Sequence, residues 1–377
     1  MRVIVTGLGI DKGDGEYVVS AQVARIAPGQ DAPGSNAEID VISASASTLV
    51  SAMSKLSYQT GKIAAYSHAS FVVFGKEMLN ENMASTLDYF VRNKVVKSST
   101  MVLCCDSNAV DELKKTKQID LSVGLGLQKV YMYRESESEG KMTTALEFLR
   151  SSKEFGGGSL VSELQLVSHE EILKEALPNS KSEDESGGSQ KQDEKKQKDE
   201  KQYFKADTPL VCFKNGKFVG KLEGDENLLG FMLINNKAQK CEVVLNLNDE
   251  QGNPLSVTVS IKRKKCRTSV RFENGTPVFD VQIKIKAAEI DEIIGEETNN
   301  FAVSNFNEIE NELKNMICEK ISKMFLTMQG LEIDVLKAYE IAYKFNYYET
   351  TKLFKTPEEF LKKGRVSVSV QIDKLEY

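Results

Sequence analysis

Val3-Ile4-Val5-Thr6-Gly7-Leu8-Gly9-Ile10-Asp11 is the stretch from which the rest of the chain is read. The apolar triplet reads as a strand that enters a glycine-rich turn at Gly7-Leu8-Gly9. A second turn, Gly13-Asp14-Gly15, precedes Tyr17, Val19, Ala21 and Val23, spaced two apart. Side chains of a strand point to opposite faces in alternation, so this spacing predicts a hairpin with one buried face. Beyond it, 28–35 reads as a loop. Leu49, Ala52, Met53 and Leu56 recur at helical spacing over 48–59. A buried strand is expected at 70–74 and a helix over 76–92, with Met78, Leu79, Met83, Leu87 and Phe90 inward. Another strand is expected at 100–105 and a short helix near 110–114. Ser168 and Glu171 carry the spacing of a capping box, in which each side chain satisfies a free N–H of the first turn. They open a helix that Pro178 ends.

From 178 to 206 the composition changes. Ser182-Glu183-Asp184-Glu185-Ser186-Gly187-Gly188 and the run from Gln190 to Lys201 hold no apolar residue, and the first is Tyr203. Such a segment buries too little surface to offset the roughly 1–2 kcal/mol per residue of backbone ordering, so a disordered, charge-balanced linker is expected. It separates an N-terminal region, 1–177, from a C-terminal domain, 207–377. In the latter, Asn215-Gly216 marks a tight hairpin turn. Val257, Val259 and Ile261, and then Phe279, Val281, Ile283 and Ile285, alternate with polar residues, which predicts an antiparallel sheet. Ile309, Leu313, Met316, Ile317, Ile321, Met324, Phe325 and Met328 form one stripe on a helix of about six turns. A shorter helix is expected over 333–344 and a closing strand at Val366, Val368, Val370 and Ile372. The fold class is α+β (mixed α/β) and multi-domain: an N-terminal mixed sheet-and-helix region and a C-terminal antiparallel sheet packed with long helices.

Composition excludes several roles. Forty-nine basic and 55 acidic residues among 377 give a net charge of −6. That balance argues against nucleic acid, whose phosphates need a basic face. No run approaches the ~18 apolar residues of a membrane-spanning helix. Met1-Arg2-Val3-Ile4-Val5 shows no signal-peptide organisation. Taken alone this reads as cytoplasmic, but the expectation adopted is a leader ahead of Met1. Six cysteines, Cys104, Cys105, Cys212, Cys241, Cys266 and Cys318, lack metal-ligand spacing and read as small buried thiols.

The chain holds two histidines. His68 precedes a buried strand and His169 lies in the capping turn; neither has a partner placed to make it a general base. Gly124-Leu125-Gly126 and Gly156-Gly157-Gly158 lack the remaining residues of nucleotide loops and read as turns. No catalytic residue, cofactor or metal is expected. The cluster Lys262-Arg263-Lys264-Lys265 with Arg267, joined by Lys284 and Lys286, reads as a solvated hairpin end between two strands, or as a contact for anionic lipid headgroups.

Several motifs resemble a known family. They are Gly7-Leu8-Gly9-Ile10-Asp11, Ala65-Tyr66-Ser67-His68, Phe71 to Glu77 and Leu87-Asp88-Tyr89-Phe90-Val91-Arg92. In the second half come Phe213 to Leu222, Met328-Gln329-Gly330 with Asp334, and Val366-Ser367-Val368-Ser369-Val370. Together, in this order, they resemble the C-subunit lipoproteins of bacterial spore germinant receptors, the Ger(x)C family. Each motif is short; their joint order is the specific signal. Two departures stand out. No cysteine precedes Cys104 to serve as a lipobox, and the chain has no tryptophan, so Tyr347-Tyr348 or Phe354 would fill that space.

The resemblance implies a fold outside the common enzyme superfolds and a non-catalytic accessory subunit. It would sit on the outer face of the spore inner membrane, held by an N-terminal lipid anchor, with the A and B membrane subunits as partners in nutrient-triggered germination. It also marks Gly9, Asp11, His68, Arg92, Gly216 and Gly220 as structural or interface positions. The alternative is a soluble extracytoplasmic solute-binding protein, which a flexible linker disfavours because it fixes no cleft between the two regions.

Overall fold

Arg2–Gly13 is one continuous strand in the computed structural model, which describes residues 2–25, 38–116, 125–176, 201–205, 208–248, 252–295 and 306–377. The turn expected at Gly7-Leu8-Gly9 is therefore a strand interior. The glycines are there because neighbours take the space of a side chain. A Cβ on Gly7 would lie 2.3 Å from the Phe71 ring, and one on Gly9 2.9 Å from Leu113 Cδ1. The register also shifts between Val5 and Gly7, as a bulge does.

The chain divides into two units that alternate along the sequence: Met1–Met78, Lys94–Leu127 and Glu163–Ala206 in one, Leu79–Asn93, Gln128–Ser162 and Asp207–Tyr377 in the other. The expected single cut between 177 and 207 thus does not coincide with the compact units. The reason is strand pairing. Gly158–Ser162 pairs with Leu210–Lys214, which ties the preceding residues to the C-terminal part.

In the first unit, Arg2–Gly13 pairs antiparallel with Glu16–Arg25, which pairs antiparallel with Glu38–Ala46, as the expected hairpin requires. On its other side it runs parallel to Ile63–Ala65 and Phe71–Phe74, and the latter runs parallel to Met101–Cys104. All residues of the last two strands are buried, the pattern of a parallel sheet covered on both faces. The helix Leu49–Thr60 is capped by Thr48 and ends at Gly61, whose φ of 61° favours glycine. The Ser168–Glu171 capping box is formed: Ser168 N–H donates to Glu171 Oε2 at 2.7 Å, and Glu171 N–H to Ser168 Oγ at 3.2 Å. The expected linker lies largely outside the described residues, as does the 28–35 loop. Its end, Gln202–Phe204, is a strand paired with Leu166–Ser168, because Tyr203 and Phe204 restore apolar pairing surface.

The second unit is built on a long hairpin, Pro254–Glu273 and Thr276–Ile294, closed by Asn274-Gly275 with both φ values positive. Lys240–Asn248 extends it antiparallel. The closing strand Arg365–Ile372 pairs with Thr276–Ile294 in parallel, so the sheet expected to be antiparallel is mixed at this edge. The chain returns to that edge through helices, and only such a crossover permits parallel pairing. The helix Phe306–Gly330 buries Ile309, Leu313, Ile317, Ile321, Met324, Phe325 and Met328, seven residues of the expected stripe. The helix expected over 333–344 is Ala338–Phe345, and Tyr347–Leu353 and Pro357–Lys363 follow it. The basic cluster does not end a hairpin; it lies inside Pro254–Glu273. Arg263, at φ 58°, lets the strand continue while the buried residues change from odd to even numbers.

Candidate functional site

In the first unit, Gly9 and Asp11 meet the helix Ala109–Thr116. Asp11 Oδ1 accepts from Ala109 N–H at 2.7 Å and Oδ2 from Val110 N–H at 3.1 Å, so the carboxylate satisfies free donors at the start of that helix. Burial pushes its carboxyl above the usual range, against the two N–H groups, which pull it down. A Cβ on Gly75 would stand 1.9 Å from Asp11 Oδ1. The Gly-x-Gly-x-Asp pattern therefore builds a joint between strand and helix. His68 is exposed in the short turn Tyr66–His68, which precedes the strand Phe71–Phe74 whereas Gly75 follows it.

The other three predicted positions belong to the second unit. Arg92 is exposed and pairs across one helical turn with Asp88 at 3.3 Å. Gly216 closes its hairpin at φ 80° and accepts Met83 N–H at 2.9 Å; a Cβ there would meet Ala84 at 2.4 Å. Gly220, at φ 156°, leaves room for Leu331. None of the six lines the cavities described below.

Sequence reasoning missed a cleft in the second unit, a cavity of about 420 Å³ whose lining includes Lys141, Glu147, Gly157, Lys237, Asp334 and Lys337. The Lys141 ammonium donates to Thr143 Oγ1 at 3.1 Å. Burial holds its pKa below the usual lysine value, while Glu135 and Glu147 partly restore it. Burial pushes the Glu147 carboxyl up, but Lys237 Nζ at 2.9 Å and Thr144 N–H at 3.0 Å outweigh this and hold it down. Glu154 receives both Arg150 and Lys337 at 2.9 Å. Asp334 caps Ala338–Phe345 through the N–H groups of Ala338 and Tyr339, at 2.9 and 2.8 Å. The local signal available was Thr144-x-x-Glu147, a second capping box. The cleft itself is assembled from distant stretches and leaves no contiguous trace.

A second cavity of about 390 Å³ shares Ile234, Asn236, Val335, Lys337 and Glu340 with the first and runs on to Lys344 and Phe345. Aromatic rings follow the same helix. Phe155 stacks on Tyr343 at 5.6 Å, and Tyr343 meets Tyr347 edge-on at 5.0 Å. Phe155, Phe345, Tyr347 and Tyr348 are between 56% and 73% exposed. So much exposed aromatic surface beside a groove is the composition of a protein-binding patch. Tyr347 and Tyr348 thus face outward, whereas Phe354 is in the core.

Among the described residues, no group of three His, Cys, Asp or Glu is placed to hold a metal ion, and no helix is long and apolar enough to cross a membrane.

Residues 1–165 match the model of the spore germination protein N-terminal domain, and residues 210–374 match the spore germination B3/GerAC-like C-terminal domain. Among solved structures, the crystal structure of the GerBC protein aligns with a TM-score of 0.52, covering 98% of this chain and 96% of that one at 17% identity, a likeness of fold. No curated protein matches the chain significantly. With both domains matched in order over most of its length, the chain belongs to the Ger(x)C family of spore germination proteins.

Proposed function

We propose that this chain, a spore germination receptor component by its family, is the non-catalytic accessory C subunit of a nutrient germinant receptor. It works by docking onto the A and B membrane subunits at the outer face of the spore inner membrane. The observation that carries this reading is the exposed aromatic series Phe155, Tyr343, Phe345, Tyr347 and Tyr348 beside the groove, since large rings concentrate binding energy in protein interfaces. Lipid anchoring rests on the family resemblance; residues 1–103 contain no cysteine to acylate.

The triple variant Phe155→Ala, Tyr343→Ala, Tyr347→Ala is expected to fold while recovering at least about tenfold less of the A and B subunits from solubilised spore membranes. Unchanged recovery removes the aromatic series from the interface. Nutrient germination that survives deletion of the whole chain removes the receptor role.

The cleft supports a second reading, capture of a small solute. It lies within one unit, so the linker does not loosen it, and Lys141 sits in it with a hydroxyl as its hydrogen-bond partner. Thermal-shift measurements across amino acids, sugars and nucleosides separate the readings. A ligand that stabilises the wild type but not Lys141→Met favours solute capture.

A further inference from the structure

The outer face of the long hairpin carries charges that its own neighbours do not balance. Lys265 stands directly across from Lys284, and Arg267 across from Gln282. Arg263 and Lys286 add to the same region, and all five cations are exposed. Like charges placed opposite one another on a sheet destabilise it. Lys284 has an acidic partner, Asp373 at 3.1 Å. Among the described residues, Arg263, Lys265, Arg267 and Lys286 have no ion-pair partner. The other end of the hairpin is different: Lys262 pairs with Glu289, and Ser260 donates to Asp291. The neighbouring strand Arg365–Ile372 offers Ser367, Ser369 and Gln371 on this side, which hydrogen-bond but bring no negative charge.

Side chains of the three strands frame a groove of about 660 Å³, lined among others by Lys265, Arg267, Gln282, Lys284, Ser369 and Gln371. Ammonium, guanidinium, amide and hydroxyl groups converge there, the donor set that phosphate oxygens take. No aromatic ring lines it, so bases have nothing to stack on. It offers no deep apolar pocket to fix the register of an acidic peptide. What it offers is a grid of cations, about 5 Å apart between strands and about 7 Å along them. A plane of phosphates satisfies such a grid in any register.

We propose that this sheet face docks onto the anionic headgroups of a phospholipid bilayer. The site stands on the charges of this face alone and does not depend on the aromatic groove or on the receptor reading.

The test is co-sedimentation of the 377-residue chain with vesicles of phosphatidylcholine alone, or of phosphatidylcholine with about one third phosphatidylglycerol. Binding is expected only to the anionic vesicles, with loss at about 0.5 M salt, where the screening length is a few ångströms. The double variant Lys265→Glu, Arg267→Glu is expected to lower the bound fraction at least about tenfold. Lys265→Glu alone is expected to raise the unfolding midpoint, because it turns the pair with Lys284 into an attractive one, so lost binding cannot be mistaken for lost folding. Equal binding by the double variant, equal binding to neutral vesicles, or tighter capture of duplex DNA or polyglutamate at the same salt would overturn the proposal.

Discussion

Asp11 in the first unit and Lys264 in the second are both strand residues that bury a charge against the end of a helix, with opposite signs. Asp11 accepts from the first N–H groups of Ala109–Thr116. Lys264 Nζ donates to Met232 O at 2.7 Å and Asn235 O at 2.8 Å, the free carbonyls at the end of Asp225–Ile234. Each charge complements the partial charge of its helix end. Burial pushes both toward neutrality, Asp11 upward and Lys264 down to about 8.

Their surroundings differ. The seat of Asp11 is cut by missing atoms, above all the absent Cβ of Gly75. That of Lys264 is cut by backbone: Arg263 reorients the strand, and Asn236 holds Cys266 by accepting its N–H at 2.7 Å and donating to its carbonyl at 3.1 Å. A short carboxylate reaches a helix only if something else steps aside. A lysine reaches on its own long stem, so no neighbour has to give up its side chain to make room.

The contrast is broken most directly at Gly75. Gly75→Ala is expected to cost about 3–5 kcal/mol in urea unfolding, because the new methyl group displaces the carboxylate. Asp11→Ala is expected to lose about 2–4 kcal/mol, with two buried N–H groups left unpaired. A loss below about 1 kcal/mol from either means that the joint does not hold the unit together.

Lys264→Met is expected to cost about 1–3 kcal/mol, since two carbonyls lose their donor. It also carries a pH signature. The unfolded lysine keeps its proton up to its ordinary pKa of 10.5 and the folded one only to about 8. Between these values the unfolded chain binds more protons, so this group makes stability rise with pH. Wild type should therefore gain about 1 kcal/mol relative to Lys264→Met between pH 8 and 9, read from paired urea titrations. A flat difference places the ammonium in water. At the small end, Arg92→Ala should change stability by less than about 0.5 kcal/mol, because its pair with Asp88 is exposed.

What the sequence made legible follows the same division. The stripe of Phe306–Gly330, the Ser168–Glu171 box and the Asn-Gly turns are local devices, and the structure forms them. Gly7 and Gly9 were misread as a turn because what demands them, the Phe71 ring and Leu113, lies more than 60 residues away. The basic run was misread as a hairpin end because a left-handed Arg263 leaves no compositional mark. Pro357–Lys363 was missed although Thr356, Pro357 and Glu359 give a readable start, with the Thr356 hydroxyl accepting Glu359 N–H at 3.2 Å. At the candidate sites, Gly9 and Asp11 were marked by the family resemblance. Lys141 was not, since its surroundings come from residues 135–160, 231–237 and 334–340.

The parallel strand Arg365–Ile372 has a consequence for synthesis. A nascent chain has already made every piece of its first unit once Ala206 has left the ribosome. The second unit must keep Leu79–Asn93 and Gln128–Ser162 waiting, and the rim of Thr276–Ile294 stays open until Arg365–Ile372 has been made. A premature stop between Ile294 and Arg365 would release a polypeptide with a 19-residue strand bare on that side, a template on which truncated copies can stack.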